Sequence, residues 1–82
     1  MKINITETSK RKYIAVGNEC NQIFEIEFNL YDLLKVDEYS SEVFYSMQEK
    51  TDEILDLKNG ESLYFQANRD NENDKGIILR IN

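Results

Sequence analysis

The chain has 82 residues and a formal net charge of −6, from 16 acidic and 10 basic residues. A chain of this length folds as one domain and buries only about 60–65% of its surface, which leaves no room for a deep catalytic cleft. An acidic surface repels the phosphates of nucleic acids and anionic membranes, so the composition argues against direct binding to either. The hydrophobic content of 40% indicates a folded core.

Alternation of apolar and polar residues predicts five strands. In the clearest of them, Asn21–Leu30, every second residue from Phe24 onward is apolar. The other four predicted strands are Lys2–Glu7, Arg11–Val16, Glu61–Ala67 and Gly76–Asn82. The short connection between the first two favours antiparallel pairing of Lys2–Glu7 with Arg11–Val16, and Gly17-Asn18 is predicted to end the second strand.

One long helix is predicted between Ser40 and Gly60. Its apolar residues recur at steps of three, four and seven and so share one face. These are Val43, Phe44, Met47, Ile54 and Leu55. Ser40 or Ser41 can cap the N-terminus, and Asn59-Gly60 supplies the stop. A strand over Glu42–Gln48 is the competing interpretation, but Phe44 would then lie on the wrong side of it.

These elements predict an α+β fold in the order β-β-β-α-β-β, an antiparallel sheet of four to five strands with one helix packed on one face. The segment Tyr31–Tyr39, which links the third strand to the helix, is predicted to form a single helical turn under the edge of the core. The opposite sheet face is predicted to be wet and to carry polar residues. They are Glu25, Glu27, Tyr64, Gln66 and Arg80.

The stretch Asn68–Lys75 is the most polar of the chain and is predicted to be a long mobile hairpin loop. Acids occupy alternate positions from Asp70 to Asp74, as they do in a calcium-binding loop. Such a loop requires glycine at its sixth position and glutamate at its twelfth, where this chain has Lys75 and Ile81. We therefore interpret the acids as a solvated hairpin tip.

The residue types needed for catalysis are scarce. The chain contains no histidine, which removes the commonest general base and the commonest metal ligand. The single cysteine, Cys20, lies beside Glu19, and a neighbouring negative charge raises a thiol pKa. Three glycines cannot build a phosphate-binding loop. The sequence therefore predicts a protein that is not an enzyme, with no catalytic, cofactor or metal site.

The acidic face of the predicted helix is the candidate partner-binding site. Its members are Glu42, Glu49, Asp52, Glu53 and Asp56. In one helix they span about 21 Å, and no lysine four residues away neutralises them. Such a row can resemble the phosphates of a nucleic acid to a basic protein surface. The alternative is a helix face that is charged for solubility alone.

Two functional hypotheses follow. The first is a cytoplasmic inhibitor or adaptor, carried by a phage or mobile element, that occupies the basic groove of a nucleic-acid enzyme. Anti-restriction and anti-CRISPR proteins that mimic DNA are analogous in size and charge. The second is a structural or assembly module, such as a small phage-particle component. It would associate through an exposed sheet edge or through Tyr13, Tyr45 and Tyr64. A second copy of the chain is one possible partner at the sheet edge.

Overall fold

The computed structural model describes residues 10–35 and 42–82, which form a four-stranded antiparallel sheet and three short helices. The elements are β1 (Tyr13–Glu19), β2 (Gln22–Phe28), α1 (Leu30–Lys35), α2 (Glu42–Gln48), α3 (Thr51–Asp56), β3 (Ser62–Asn68) and β4 (Asn71–Arg80). The α+β class and the antiparallel sheet are confirmed. The observed order, β-β-α-α-α-β-β, differs from the predicted one, and the strand predicted over Lys2–Glu7 lies outside the described residues.

The strands lie in the order β2-β1-β4-β3, so β1 and β4 form the centre of the sheet. Tyr13 at the start of β1 pairs with Phe28 of β2 on one side and with Arg80 of β4 on the other. Both edges of β1 are therefore occupied within the described sheet. β2 and β3 are the outer strands of the described sheet.

A two-residue turn joins β1 to β2. Cys20 and Asn21 both have left-handed backbone conformations, with φ of 53° and 64°. Turns of this kind match the twist of the flanking strands, and asparagine tolerates the conformation better than most residues. The backbone N–H of Cys20 also donates to a carboxylate oxygen of Asp74, at 3.2 Å. The prediction that the strand ends at Gly17-Asn18 is wrong, because β1 continues to Glu19.

The second hairpin also has a tight turn, and the predicted loop over Asn68–Lys75 is wrong. β3 ends at Asn68, and β4 begins at Asn71 with these two residues paired. The side chains of both asparagines accept from the backbone two residues ahead, from the N–H of Asp70 at 2.9 Å and of Asn73 at 3.0 Å. Such local bonds stabilise a turn. The polar run is therefore strand whose side chains mostly face water.

The prediction of a single helix between Ser40 and Gly60 is also wrong, because this part of the chain forms two short helices, α2 and α3. The N–H of Lys50 bonds to the carbonyl of Met47, three residues back, at 3.0 Å. The hydroxyl of Thr51 donates to the carbonyl of Gln48, the acceptor that residue 52 would use in a continuous helix. The turn at Glu49-Lys50 separates the two axes, so that α2 lies on β3 while α3 reaches the end of β1.

The core lies between the helices and one face of the sheet. Its buried residues, each no more than 8% exposed, are Tyr13, Ala15, Phe28, Leu30, Leu33, Val43, Met47, Ile54, Leu57, Phe65, Ala67 and Ile78. The predicted apolar helix face is therefore confirmed at Val43, Met47 and Ile54, although it belongs to two helices. The helical turn predicted after β2 is present as α1, where Leu33 is buried and Leu34 is 42% exposed.

The C-terminal end of α3 is tied to the sheet by two arginines. Arg11 donates to the carbonyl of Leu55 at 3.0 Å, and Arg80 donates to the carbonyl of Leu57 at 2.8 Å. The last carbonyls of a helix have no partner inside the helix and carry partial negative charge, which cations stabilise. Arg80 therefore belongs to the helix side of the sheet, and its predicted place on the wet face is wrong.

Two glycines face each other at the centre of the sheet. Gly17 of β1 pairs with Gly76 of β4. The rings of Phe24 and Phe65 lie over this pair, with their centroids 6.3 Å apart. A Cβ atom built on Gly76 would lie 2.6 Å from the Phe65 ring. The absence of side chains at these two positions is what lets the outer strands β2 and β3 bring their aromatic rings together.

Candidate functional site

The structure divides the five predicted acids into two groups, and the first group surrounds an arginine. Nη1 of Arg69 lies 3.2 Å from a carboxylate oxygen of Glu49, and its Nε lies 3.8 Å from one of Glu42. The same guanidinium lies 4.1 Å from the ring centroid of Tyr45. All three charged side chains are nearly half exposed, so the ion pairs contribute little to stability. They do reduce the negative charge that α2 presents.

Arg69 is a residue that the sequence analysis missed. It belongs to the turn between β3 and β4, 20 residues from Glu49 along the chain. The sequence pattern reveals neutralising cations only among neighbours on the same helix. The contact depends on α2 packing across β3, which no local pattern reveals.

The second group is on α3, where Asp52, Glu53 and Asp56 are all exposed. Within residues 10–35 and 42–82, acidic side chains form ion pairs only with Arg69, so these three carboxylates have no ion pair there. The break before α3 means that the five acids do not form one straight row. The structure therefore leaves a compact acidic surface of three residues.

A second surface is the face of the sheet turned away from the helices. Successive side chains of a strand point to opposite faces, and Tyr13, Ala15, Gly76 and Ile78 belong to the buried one. The opposite face of the central strands therefore carries four partly exposed aliphatic side chains. They are Ile14, Val16, Ile77 and Leu79. Ile14 pairs with Leu79 and Val16 pairs with Ile77, so the four side chains form one block.

The outer strands flank this aliphatic block differently. β2 places Glu25 and Glu27 on this face, opposite the aliphatic residues of β1. β3 places Tyr64 beside Ile77, and 79% of the Tyr64 side chain is exposed. We call the whole surface the outer sheet face. Its members are Ile14, Val16, Asn18, Ile23, Glu25, Glu27, Ser62, Tyr64, Gln66, Lys75, Ile77 and Leu79. The predicted wet face therefore has an aliphatic centre, and its polar side chains lie on the outer strands and at Asn18 and Lys75 of the central strands.

The three tyrosines predicted to mediate association lie in different surroundings. Tyr13 is fully buried, and its hydroxyl lies 3.5 Å from the carbonyl of Ile54. Tyr45 lies under Arg69 and is partly buried. Tyr64 alone among these three is fully available to a partner.

Cys20 lies in the β1–β2 turn and is exposed. The charge of Glu19 raises the pKa of its thiol, and desolvation and the carboxylate of Asp74 raise it further. The reactive form of a cysteine is the thiolate, so a raised pKa makes Cys20 a poor nucleophile at neutral pH. The sequence predicts the effect of Glu19. The effect of Asp74 arises from pairing between β1 and β4 and has no local signal.

The described residues include two open hollows but no cluster of metal-binding side chains. Among residues 10–35 and 42–82, no group of three or more histidine, cysteine, aspartate or glutamate side chains could hold a metal ion. Two open hollows of about 340 Å³ and 360 Å³ lie beside β3 and share Lys50 and Gln66. None of the three helices in the described part of the chain is long and apolar enough to cross a membrane.

Comparisons with protein-family models, with curated proteins and with solved structures find no match for this chain. The two candidate functional surfaces are therefore the outer sheet face and the acidic surface of α3.

Proposed function

We propose that this chain is a small, non-enzymatic protein-binding module of the structural or assembly type, and that it binds its partner through the outer sheet face. The observation that supports this most directly is the aliphatic block on the central strands. A contiguous apolar patch on a small domain exposes hydrophobic surface to water, and such patches commonly mark sites of association.

The composition of the face matches that of protein interfaces, which have an apolar centre and a polar rim. The centre here is the aliphatic block, and the rim includes Glu25 and Glu27 on one edge and Gln66 on the other. Tyrosine is over-represented among residues that dominate binding energy. Tyr64 lies next to the centre and is 79% exposed. An exposed tyrosine beside an aliphatic block is a suitable anchor for a partner.

The proposal predicts that partner binding depends on two positions of the outer sheet face. Replacing Ile77 by lysine introduces a charge at the centre, and Tyr64→Ala removes the exposed ring. Each change is expected to weaken partner binding about tenfold or more. The measurement is quantitative capture of partners by the tagged chain from cells that express it.

Leu34→Lys is the matched control, because Leu34 is a partly exposed leucine on α1, away from the outer sheet face. It changes the net charge as Ile77→Lys does, and it is expected to leave capture unchanged. Equal capture by the wild type, Ile77→Lys and Tyr64→Ala would contradict the proposal.

A second candidate function is favoured by the acids of α3. We propose that, in this case, the chain acts as a phage or mobile-element inhibitor that occupies a basic groove of a nucleic-acid enzyme. Asp52, Glu53 and Asp56 are exposed without an ion pair among the described residues, and the chain carries a net charge of −6. Attraction between these charges and a basic groove would accelerate association and make it sensitive to salt.

This candidate predicts that the chain displaces host DNA-binding proteins from immobilised DNA at low salt. The combined changes Asp52→Asn, Glu53→Gln and Asp56→Asn are expected to reduce displacement about tenfold, because they remove the charges that compete with phosphate. A control with Asp32→Asn, Asp70→Asn and Glu72→Gln removes the same charge elsewhere and is expected to retain most of the activity. Equal displacement by both triple variants would reject a specific role for α3.

A further inference from the structure

We propose that the partner of the outer sheet face is a second copy of this chain. The two sheets would pack face to face about a two-fold axis that runs parallel to the strands, midway between β1 and β4. This inference rests on the proposed function of that face and names its partner. A two-fold contact requires a surface that is complementary to itself. The order β2-β1-β4-β3 is compatible with this axis, because two strands lie on each side of it.

The centre of the face matches itself under this rotation. The axis places β1 of one copy over β4 of the other and keeps each row of paired residues in line. Val16 pairs with Ile77 within one sheet, so Val16 of one copy would lie over Ile77 of the other. Ile14 would lie over Leu79 of the other copy for the same reason. The four aliphatic side chains of each copy thus cover those of its partner.

The edges of the face are complementary as well. One row across the four strands consists of Glu25, Val16, Ile77 and Tyr64. The rotation therefore places Glu25 of each copy over Tyr64 of the other, where a carboxylate can accept a hydrogen bond from the tyrosine hydroxyl. The next row places Glu27 over Ser62, whose hydroxyl is also a donor. The acids of one edge thus meet neutral donors on the opposite edge.

The charges also select this axis over the alternative. A two-fold axis across the strands would place β2 over β2 and bring Glu25 and Glu27 of both copies together. Four carboxylates against one another would oppose association, because like charges in an interface cost several kcal/mol. The acids are confined to β2 on this face, so only the axis parallel to the strands separates them.

The size of the face predicts a weak dimer. Four strands spaced about 4.8 Å apart give a sheet roughly 19 Å wide, and two such sheets pack about 10 Å apart. A face of this width lies at the lower end of stable interfaces, which bury about 800 Å² per partner. Each copy also carries a charge of −6, so the copies repel each other at a distance. Salt screens that repulsion and should strengthen the dimer.

Sedimentation velocity of the full chain, from micromolar to millimolar concentration and at low and high sodium chloride, tests the proposal. The wild type is expected to shift from monomer to dimer with concentration, with a dissociation constant that falls as salt rises. Ile77→Lys, which puts a charge at the apolar centre, and Tyr64→Ala, which removes the ring and hydroxyl that meet Glu25, are each expected to raise the dissociation constant about tenfold or more. Tyr64 is largely exposed, so its replacement keeps the fold, and circular dichroism verifies this for each variant. Leu34→Lys, with the same charge change as Ile77→Lys, is expected to dimerise like the wild type.

Each other outcome has a distinct meaning. A chain that stays monomeric at every concentration would overturn the second copy as partner, while the proposed function would still be decided by the capture experiment. A dimer that Ile77→Lys and Tyr64→Ala leave intact would overturn the face as the dimer surface. A dimer that weakens with salt would overturn the aliphatic block as its centre, because screening would then remove an attraction.

Discussion

Replacing Ile54 by alanine is expected to lower the free energy of unfolding by about 2–5 kcal/mol, the usual cost of removing a large aliphatic side chain from a core. Ile54 is fully buried and belongs to the core cluster between α3 and the sheet. Alanine has a higher helix propensity than isoleucine by about 0.4 kcal/mol, which is much less than the loss of packing. Small domains are stable by about 5–15 kcal/mol, so this change removes a large part of the total.

Urea denaturation followed by circular dichroism measures this effect. Ile23→Ala is the matched control, because it makes the same chemical change at a side chain that is 89% exposed. A surface change of this kind is expected to alter stability by no more than about 0.5 kcal/mol. If Ile54→Ala and Ile23→Ala cost the same, α3 does not pack on the core as described.

The second large effect is expected at the glycine pair of the central strands. Gly76→Ala is expected to cost about 1–3 kcal/mol, because the added methyl group overpacks the core. Its Cβ would lie 2.6 and 2.7 Å from two atoms of the Phe65 ring. Phe65→Leu shortens that side chain and should partly relieve the clash. The double variant is therefore expected to lose less free energy of unfolding than the sum of the two single losses, by about 0.5 kcal/mol or more.

Gly17→Ala provides the contrast, because its Cβ would lie 2.6 Å from the Cα atom of Gly76. Backbone atoms of a central strand cannot move aside as a ring can, so the cost is expected near 3 kcal/mol, the upper part of the overpacking range. Phe65→Leu is not expected to relieve it. Ser62→Ala, at an exposed position of β3, is the control for the small effect of a surface change. Equal relief of both glycine variants by Phe65→Leu would contradict this geometry.

Some of the fold was predictable because local sequence patterns determine it. The alternation in β2 and β3 identifies both strands to within a few residues, and the spacing of Val43, Met47 and Ile54 identifies the buried side of the helical region. The strong periodicity of these segments follows directly from which side of each element is buried. The α+β class follows from the number and order of such segments.

The errors have physical causes that local patterns do not contain. The hydroxyl of Thr51 competes for the carbonyl of Gln48 and helps divide the helix, although the apolar spacing runs through the division. The start of β4 has a loop-like composition, but pairing with β3 and the side-chain bonds of Asn68 and Asn71 make it strand. In both cases specific hydrogen bonds outweigh the average preferences of the residues involved.

The candidate site was predictable in its parts but not in its arrangement. The acids of α3 are exposed where the sequence places them, whereas the charge around Glu42 and Glu49 is changed by Arg69 from a distant turn. The aliphatic block of the outer sheet face needs the pairing of β1 with β4, which joins residues from opposite parts of the chain. Which strands become neighbours is a property of the whole fold.

The position of β1 beside β4 also affects how the chain folds. Each hairpin joins neighbouring parts of the sequence, because a two-residue turn separates β1 from β2 and β3 from β4. The pairing of Tyr13 with Arg80, by contrast, closes a loop that contains nearly all the described residues. The entropy of closing such a loop opposes folding until the central strands meet, so contacts along this junction govern the folding rate more than contacts within either hairpin.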